Sequence, residues 1–258
     1  MLATSWTHTR RSTLATVSAA GLLGVVVLSG CASVPVAETA SNGGQTSTSA
    51  SAGGAQKTVT VRPDQRLTEL PAKKEQAALG VIGTLTVTDP DYVPGYDRDN
   101  FGPSWTDSAD GVLWAGDGCY TRDNILFRDL DNPTKRDDCV VVAGTLDDPY
   151  TGKILTFNKA QASAVQIDHM VPLLYAWRNG AADWDKATRA RFGNDPLNLV
   201  AVDGPANGQK SADGPGEWMP TNPAIRCAYA LRFATVATTY NIAVSNADKT
   251  AMTQACGG

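Results

Sequence analysis

Histidine is nearly absent from this sequence: of 258 residues only His8 and His169 carry an imidazole. His8 falls within the first thirty residues, which read as a leader, so His169 is the sole histidine of the chain that remains. With no second histidine and no Gly-x-Ser-x-Gly elbow, a serine triad lacks its parts. No cysteine pair has CxxC spacing, so a structural zinc site is not expected either. Basic excess is missing too. The formal net charge is −4, and Arg10 and Arg11 are the only charged residues among the first thirty, which leaves −6 on the rest. Such a total argues against tight, nonspecific coating of nucleic acid, although a local basic patch can coexist with it. A long apolar run is also lacking: Leu14 to Val27 is too short and too often interrupted by Ser and Thr to span a membrane.

What the first residues do contain is an export signal. Arg10 and Arg11 form a positive start, the apolar stretch follows, and Leu28-Ser29-Gly30-Cys31 resembles the lipobox of bacterial lipoproteins. That resemblance implies cleavage before Cys31 and a lipid on it. The protein would then be exported and anchored through this lipid to the outer face of the cytoplasmic membrane or to the cell envelope. Ala32 to Gln56 is rich in Ser, Thr, Gly and Ala and has no aromatic residue. It cannot bury enough apolar surface to offset its ordering entropy, so a disordered tether is expected. Lys57 to Leu79 is transitional. The boundaries expected are a signal peptide over 1–30, a linker over 31–80 and a globular domain over 81–258. Hydrophobic residues make up 42% of the chain, enough for a core in one domain of that length.

Four further cysteines, Cys119, Cys139, Cys227 and Cys256, form an even set in an exported chain, which points to two disulfides. Four cysteines allow three pairings. Cys119–Cys139 and Cys227–Cys256 are favoured because each pair sits in its own segment, the second tying the C-terminal tail to a helix.

The patterning predicts a mixed α+β domain. Asn124 to Leu130 suits a strand or short helix. Cys139 to Gly144 reads as a buried strand, Asp148-Pro149-Tyr150-Thr151-Gly152 as a turn, and Lys153 to Phe157 as the hairpin partner. Val165 to His169 is a strand end and Leu199 to Val202 another short strand. Helices are expected over Leu173 to Arg178 and Asp185 to Phe192. Another is expected after Asn222-Pro223, with Cys227, Leu231 and Ala234 on one side, running to Tyr240.

The chemistry concentrates between Ile167 and Trp218. A neutral imidazole is the usual acceptor of a proton from water near pH 7, and here that role can fall only to His169. Asp168 stands beside it, a hard oxygen ligand next to a base, as metal-assisted phosphodiester hydrolysis requires. Neighbours on a strand point to opposite faces unless the strand ends, and Pro172 marks such an end. Asn198 opens the next strand, Asn207 follows nine positions later and Lys210 three after that.

This series resembles the HNH, or His-Me finger (ββα-metal), endonucleases in their Asn-ended form. The wider chain resembles a subgroup of exported bacterial HNH proteins and the C-terminal domain of the GmrSD type of restriction enzyme. Tyr96-Asp97-Arg98-Asp99, Asp117-Gly118-Cys119, Thr121-Arg122, Asp148 to Gly152, Pro172-Leu173 with Ala176-Trp177, and Glu217-Trp218 carry that likeness, which runs from Tyr92 to Cys256. It implies an α+β fold: a ββα-metal core with added helices and a small N-terminal β-rich region. It further implies His169 as general base, and Asp168 and Asn207 as ligands of one divalent cation, Mg²⁺ or Mn²⁺. Asn198 would hold the loop and orient the His169 ring, and Lys210 and Arg178 would contact phosphate. Nucleic acid, DNA ahead of RNA, would be the substrate of a monomer with no protein partner. The alternative is an envelope lipoprotein that keeps the fold as a binding or scaffold module without turnover. Asp107, Asp110 and Asp117 do not follow the spacing of a calcium loop, and the Gly-Asp turns account for them.

Overall fold

The computed structural model describes residues 59–89 and 91–258. The expected leader, the expected lipidation site Cys31 and the expected linker as far as residue 58 lie outside the described residues. The first packed element is helix α1 (Glu75–Gly83), which buries Ala78 and Ile82. The packed body therefore begins before residue 81, the boundary expected from composition: two apolar residues one turn apart turn a charged stretch into a core helix.

Helix α2 (Thr121–Asp129) leads into strand β1 (Asp131–Lys135), which joins β2 (Val141–Asp147) and β3 (Ile154–Asn158) in an antiparallel sheet ordered β1-β2-β3. The β-rich region thus lies within the chain at 131–158, after two helices, and not at its N-terminal end. The turn between β2 and β3 is organised by Asp148, whose fully buried carboxylate accepts from the Thr151 amide at 2.9 Å. Its other oxygen accepts from the Asp203 amide at 3.0 Å. One side chain therefore shapes the hairpin and fastens it to the second sheet.

That second sheet is the pair β4 (Val165–His169) and β5 (Leu199–Asp203), antiparallel, with Asp168 opposite Val200 and His169 opposite Leu199. Between them run helices α3 (Leu173–Arg178) and α4 (Lys186–Asn194). Helix α5 (Gly204–Lys210) follows β5 directly. Asp203 caps it by accepting from the Ala206 amide at 3.0 Å, and Pro205 occupies the first turn.

Helix α6 (Arg226–Thr239) is buried on nearly every side, including Tyr229, Phe233 and Val236. Its alanines let neighbouring elements approach closely, and α1 and α7 (Asn246–Ala255) pack on it. Cys227 of α6 is bonded to Cys256 after α7, and Cys119 to Cys139. The architecture is α+β, with small antiparallel sheets and several helices.

Two buried arginines fix the turn that enters β5. Arg128 donates to the carbonyls of Pro196 at 2.8 Å and Leu199 at 2.7 Å, and forms an ion pair with Asp129 at 2.6 Å. Arg232 donates to Leu197 at 2.9 Å and Pro196 at 2.8 Å. Burial and the nearby Arg128 push the Arg232 guanidinium down to about 9, still charged at neutral pH. A turn has carbonyls with no ladder partner, and these guanidinium forks satisfy them where water cannot reach.

Candidate active site

Strand β4 ends in the site. Alternation sends Gln166 and Asp168 to one face and Ile167 and His169 to the other, as strand geometry requires. At the strand end, residues from both faces border one cleft of about 540 Å³, whose walls include Arg98, Trp105, Arg122, Gln166, Asp168, His169 and Asn207.

On the first face, strand and helix match. Gln166 accepts from the Asn207 side-chain amide at 2.8 Å, and Asp168 accepts from Lys210 at 2.9 Å. Two residues along a strand advance about 6.6 Å, and three along a helix about 4.5 Å, so the two pairs run side by side. The Gln166 amide is oriented in turn by donating to the Ser163 carbonyl at 3.3 Å. This chain of bonds fixes which way Asn207 faces: its nitrogen is used by Gln166, and its oxygen has no partner among the described residues. That oxygen is also not one of the enclosed unpaired atoms, and Asn207 borders the cleft.

Asp168 is 6% exposed and Lys210 fully buried. Besides Lys210, the carboxylate accepts from the phenol of the buried Tyr150 at 2.6 Å. Lys210 also donates to the carbonyl of His169 at 2.9 Å. The expectation that Lys210 meets a phosphate is therefore corrected. A buried carboxylate needs a countercharge, and Lys210 points inward to supply it. Arg178 is exposed at the end of α3 and is not part of the cleft wall.

On the second face, the His169 ring stacks on Trp105 with centroids 5.7 Å apart and an interplanar angle of 18°. Nε2 lies 2.9 Å from the carbonyl of Gly193. A carbonyl only accepts, so Nε2 carries the hydrogen and Nδ1 the lone pair. Gly193 is next to last in α4, where helix carbonyls lack intrahelical donors, and the imidazole supplies one. Burial drives the His169 pKa down to about 3, with the Gly193 bond opposing and the charges of Arg98 and Lys210 reinforcing. Nδ1 has no partner among the described residues and, like the Asn207 oxygen, is not an enclosed unpaired atom.

Asn198 is fully buried. Its side-chain oxygen accepts from the Val171 amide at 2.9 Å and its nitrogen donates to the Val171 carbonyl at 3.3 Å. Asn198 thus clamps the chain just after His169. Orientation of the ring belongs to Gly193 instead, because the Asn198 amide is consumed by Val171.

Gln166, Tyr150, Gly193 and Trp105 were not legible as site residues. Gln166 had a usable signal, its position two before Asp168 on the same strand face. Trp105 has a left-handed φ of 62°, a conformation found where surrounding structure over-determines the backbone, and no local pattern announces it.

The donors suit a hard divalent cation. Asp168 has about four acceptor directions, of which Tyr150 takes one and Lys210 two, leaving one on Oδ1. Asn207 adds a neutral amide oxygen. No cluster of three His, Cys, Asp or Glu able to hold a metal occurs among the described residues. The set therefore fits an ion that keeps most of its shell as water and phosphate oxygen, not one caged by protein.

The fold and site define an α+β protein whose reactive groups sit on two antiparallel strands and the helix that follows. Residues 120–255 match the family model for the C-terminal domain of GmrSD restriction endonucleases, and the chain belongs to that family. An uncharacterized secreted protein of Arthroderma benhamiae is 35% identical over 178 residues, which cover 68% of this chain and 81% of that protein. No solved structure matches the chain.

Proposed function

We propose that this protein is an exported, metal-dependent endonuclease built on a ββα-metal core of β4, β5 and α5, cleaving phosphodiester bonds of nucleic acid, DNA in the first instance. The observation that carries this reading is the state of His169: a neutral imidazole, its hydrogen held on Nε2 by Gly193 and its Nδ1 without a partner among the described residues, on a residue that borders the same cleft as Asp168 and Asn207. His169 takes the proton of the attacking water on Nδ1. Stacking on Trp105 and the Gly193 bond hold the ring, so no reorientation is needed at the moment of reaction. Asp168 and Asn207 would hold Mg²⁺ or Mn²⁺, which when bound would supply Lewis-acid stabilisation of charge on the phosphate and leaving oxygen. Lys210 and Tyr150 fix the carboxylate of Asp168, and Gln166 fixes the amide of Asn207, so both oxygens are set before substrate arrives.

Family membership supports a nuclease, and the secreted relative supports export. A lipid on Cys31 belongs to the same proposal. No helix among the described residues is long and apolar enough to cross a membrane. The purified protein is incubated with plasmid DNA or RNA in Mg²⁺, Mn²⁺ or EDTA, beside His169→Ala. Cleavage should require metal and fall by roughly 10²–10⁴ in the variant, the usual contribution of a general base. Equal cleavage by the variant would remove His169 from the chemistry. The Lys210 ammonium on Asp168 favours a second reading, a binding module without turnover; nucleic-acid binding with no cleavage in either metal would select it.

A further inference from the structure

Once Lys210 and Arg178 are placed, the cleft needs another source of positive charge for a polyanion. The structure holds two candidates. Arg98 and Arg122 border the cleft, and the Asp168 charge between them is already matched by Lys210. The cleft therefore carries an uncompensated positive charge on a chain whose total is −4. Another pocket, of about 310 Å³, contrasts with it: it is bordered by Glu69, Asp129, Asp131, Asp147 and Asp148 against Arg66. It would repel phosphate. A third, of about 440 Å³, is bordered by Arg66, Lys74 and Arg232 against Glu69 but lies away from Asp168 and His169.

Resting on the nuclease reading above, we propose that Arg98 and Arg122 are the phosphate-binding residues of the cleft, with Arg98 on the reacting phosphate beside His169 and Arg122 on a neighbouring phosphate of a strand laid along β4.

Arg98 has neither a hydrogen bond nor an ion pair among the described residues. Its backbone is nonetheless fixed, because it opens a 3-10 turn capped by Asp97 and anchored by the buried Phe101. It borders the cleft and also the small crevice shared by Trp105, His169 and Gly193. Arg122 sits in the first turn of α2. Its contacts to the Ala162 and Val165 carbonyls are long, 3.5 and 3.4 Å, and it has no carboxylate partner among the described residues. The adjacent Asp123 is occupied by the Val141 amide at 2.9 Å. Burial lowers the Arg122 pKa, and the nearby charge of Asp123 opposes this only in part, so the guanidinium is withdrawn from water without a carboxylate bonded to it. An arriving phosphate oxygen would satisfy that fork bidentately.

The two arginines mark opposite ends of β4, Arg122 over Val165 and Arg98 beside His169. Four residues of strand separate those ends, about 13 Å. A nucleic-acid strand places one charge about every 3.4 Å of helix axis, so the two groups address different phosphates. The separation also divides their effects. A contact at the reacting phosphate strengthens as charge develops there, whereas one further along binds ground state and transition state alike.

The test uses fluorescence anisotropy of short single-stranded DNA and RNA probes in EDTA, so that affinity is read without metal or turnover, between about 50 and 200 mM salt. Arg98→Gln and Arg122→Gln should each weaken binding about tenfold and each reduce the slope of log affinity against log salt by about 0.7, the value for one phosphate of a single strand. Arg122→Lys should recover most of the slope, which a merely structural role would not produce, and Arg178→Gln should match wild type. With metal added, Arg98→Gln should lower kcat, and Arg122→Gln should raise KM at nearly constant kcat. Wild-type affinity and slope in both Gln variants would overturn the assignment while leaving the nuclease reading in place. Failure of the folded wild-type protein to bind either probe would overturn the assignment, and failure also to cleave nucleic acid with metal added would overturn the nuclease reading.

Discussion

The buried tyrosines Tyr150 and Tyr229 lie 5.9 Å apart, ring to ring, and differ in one respect that decides their energetics. The Tyr150 hydroxyl donates to Asp168, whereas the Tyr229 hydroxyl is enclosed with no partner. A hydrogen bond to a charged group is worth about 1.5–3 kcal/mol, so Tyr150→Phe should destabilise by about that much and loosen Asp168. Tyr229→Phe removes an unpaired buried hydroxyl and should be neutral or stabilising by about 1 kcal/mol. Urea unfolding of both variants checks the contrast, and a larger loss for Tyr229→Phe would show that its hydroxyl has a partner. His169 offers a second prediction at this scale. It is the sole histidine beyond residue 8, so its ring resonances are directly assignable in protein that starts at Cys31. In metal-free protein, burial holds its pKa down at about 3, against 6.5 for an ordinary imidazole. The unfolded chain therefore binds this proton first as pH falls. Stability contributed by the neutral ring is complete above pH 6.5 and is lost as pH falls from there towards 3. NMR should show a neutral ring with hydrogen on Nε2 throughout pH 5 to 8; a titration midpoint near 6.5 would contradict the burial.

At the scale of elements, the site depends on how well β5 and its entering turn are held. Arg232 closes the carbonyls of residues 196 and 197 from within α6. Arg232→Met leaves the Leu197 carbonyl unpaired in a dry interior, while Pro196 keeps the bond from Arg128, and a loss of about 1–3 kcal/mol is expected. Activity should fall further than stability alone explains, since Asn198, which clamps the end of β4, belongs to that turn. Activity measured well below the unfolding midpoint separates the two effects. The same elements show what the sequence could disclose. Strand β4 and helix α3 were legible to the residue, because apolar alternation and Pro172 delimit them, and the β2–β3 hairpin was legible from its Asp-Pro-Tyr-Thr-Gly turn. Strand β1, Asp131–Lys135, was not: it is a mostly exposed, polar, bulged edge with no apolar period to read. Asn124 to Leu130 was ambiguous between strand and helix and belongs to α2, one side of which buries Ile125 and Leu126. Asp168, His169, Asn198 and Asn207 were visible through their spacing, and the structure brings them around one strand end. The direction of Lys210 was not visible, because a buried ammonium and a solvated one share the same sequence.

For the whole molecule, the two disulfides tie down different things. Cys227 and Cys256 are both buried and join α7 to α6, completing the main core. Cys119 and Cys139 are only half-buried and join the loop ahead of α2 to the segment entering β2. That loop is otherwise shaped by Asp107, which accepts from the amides of Gly116, Asp117 and Gly118 at 2.8, 3.1 and 3.0 Å. Trp105 precedes it and Arg122 follows it, so the second bond supports one wall of the cleft. Exchange with an external thiol requires access to sulfur, so native protein in a mild reductant should lose Cys119–Cys139 first and keep Cys227–Cys256 until it unfolds. Alkylation followed by peptide mass mapping reads the order. The partly reduced protein should retain its global fold while binding of oligonucleotide weakens, because only the cleft wall has been released. Replacing Cys227 and Cys256 together by Ser should instead lower stability by about 3 kcal/mol, with cleft residues unaffected until the whole domain melts. Loss of the buried bond first would mean that α7 opens from α6 more readily than the loop opens from β2, and the packing of Met252 and Asp248 against the core would then not hold the C-terminus in place.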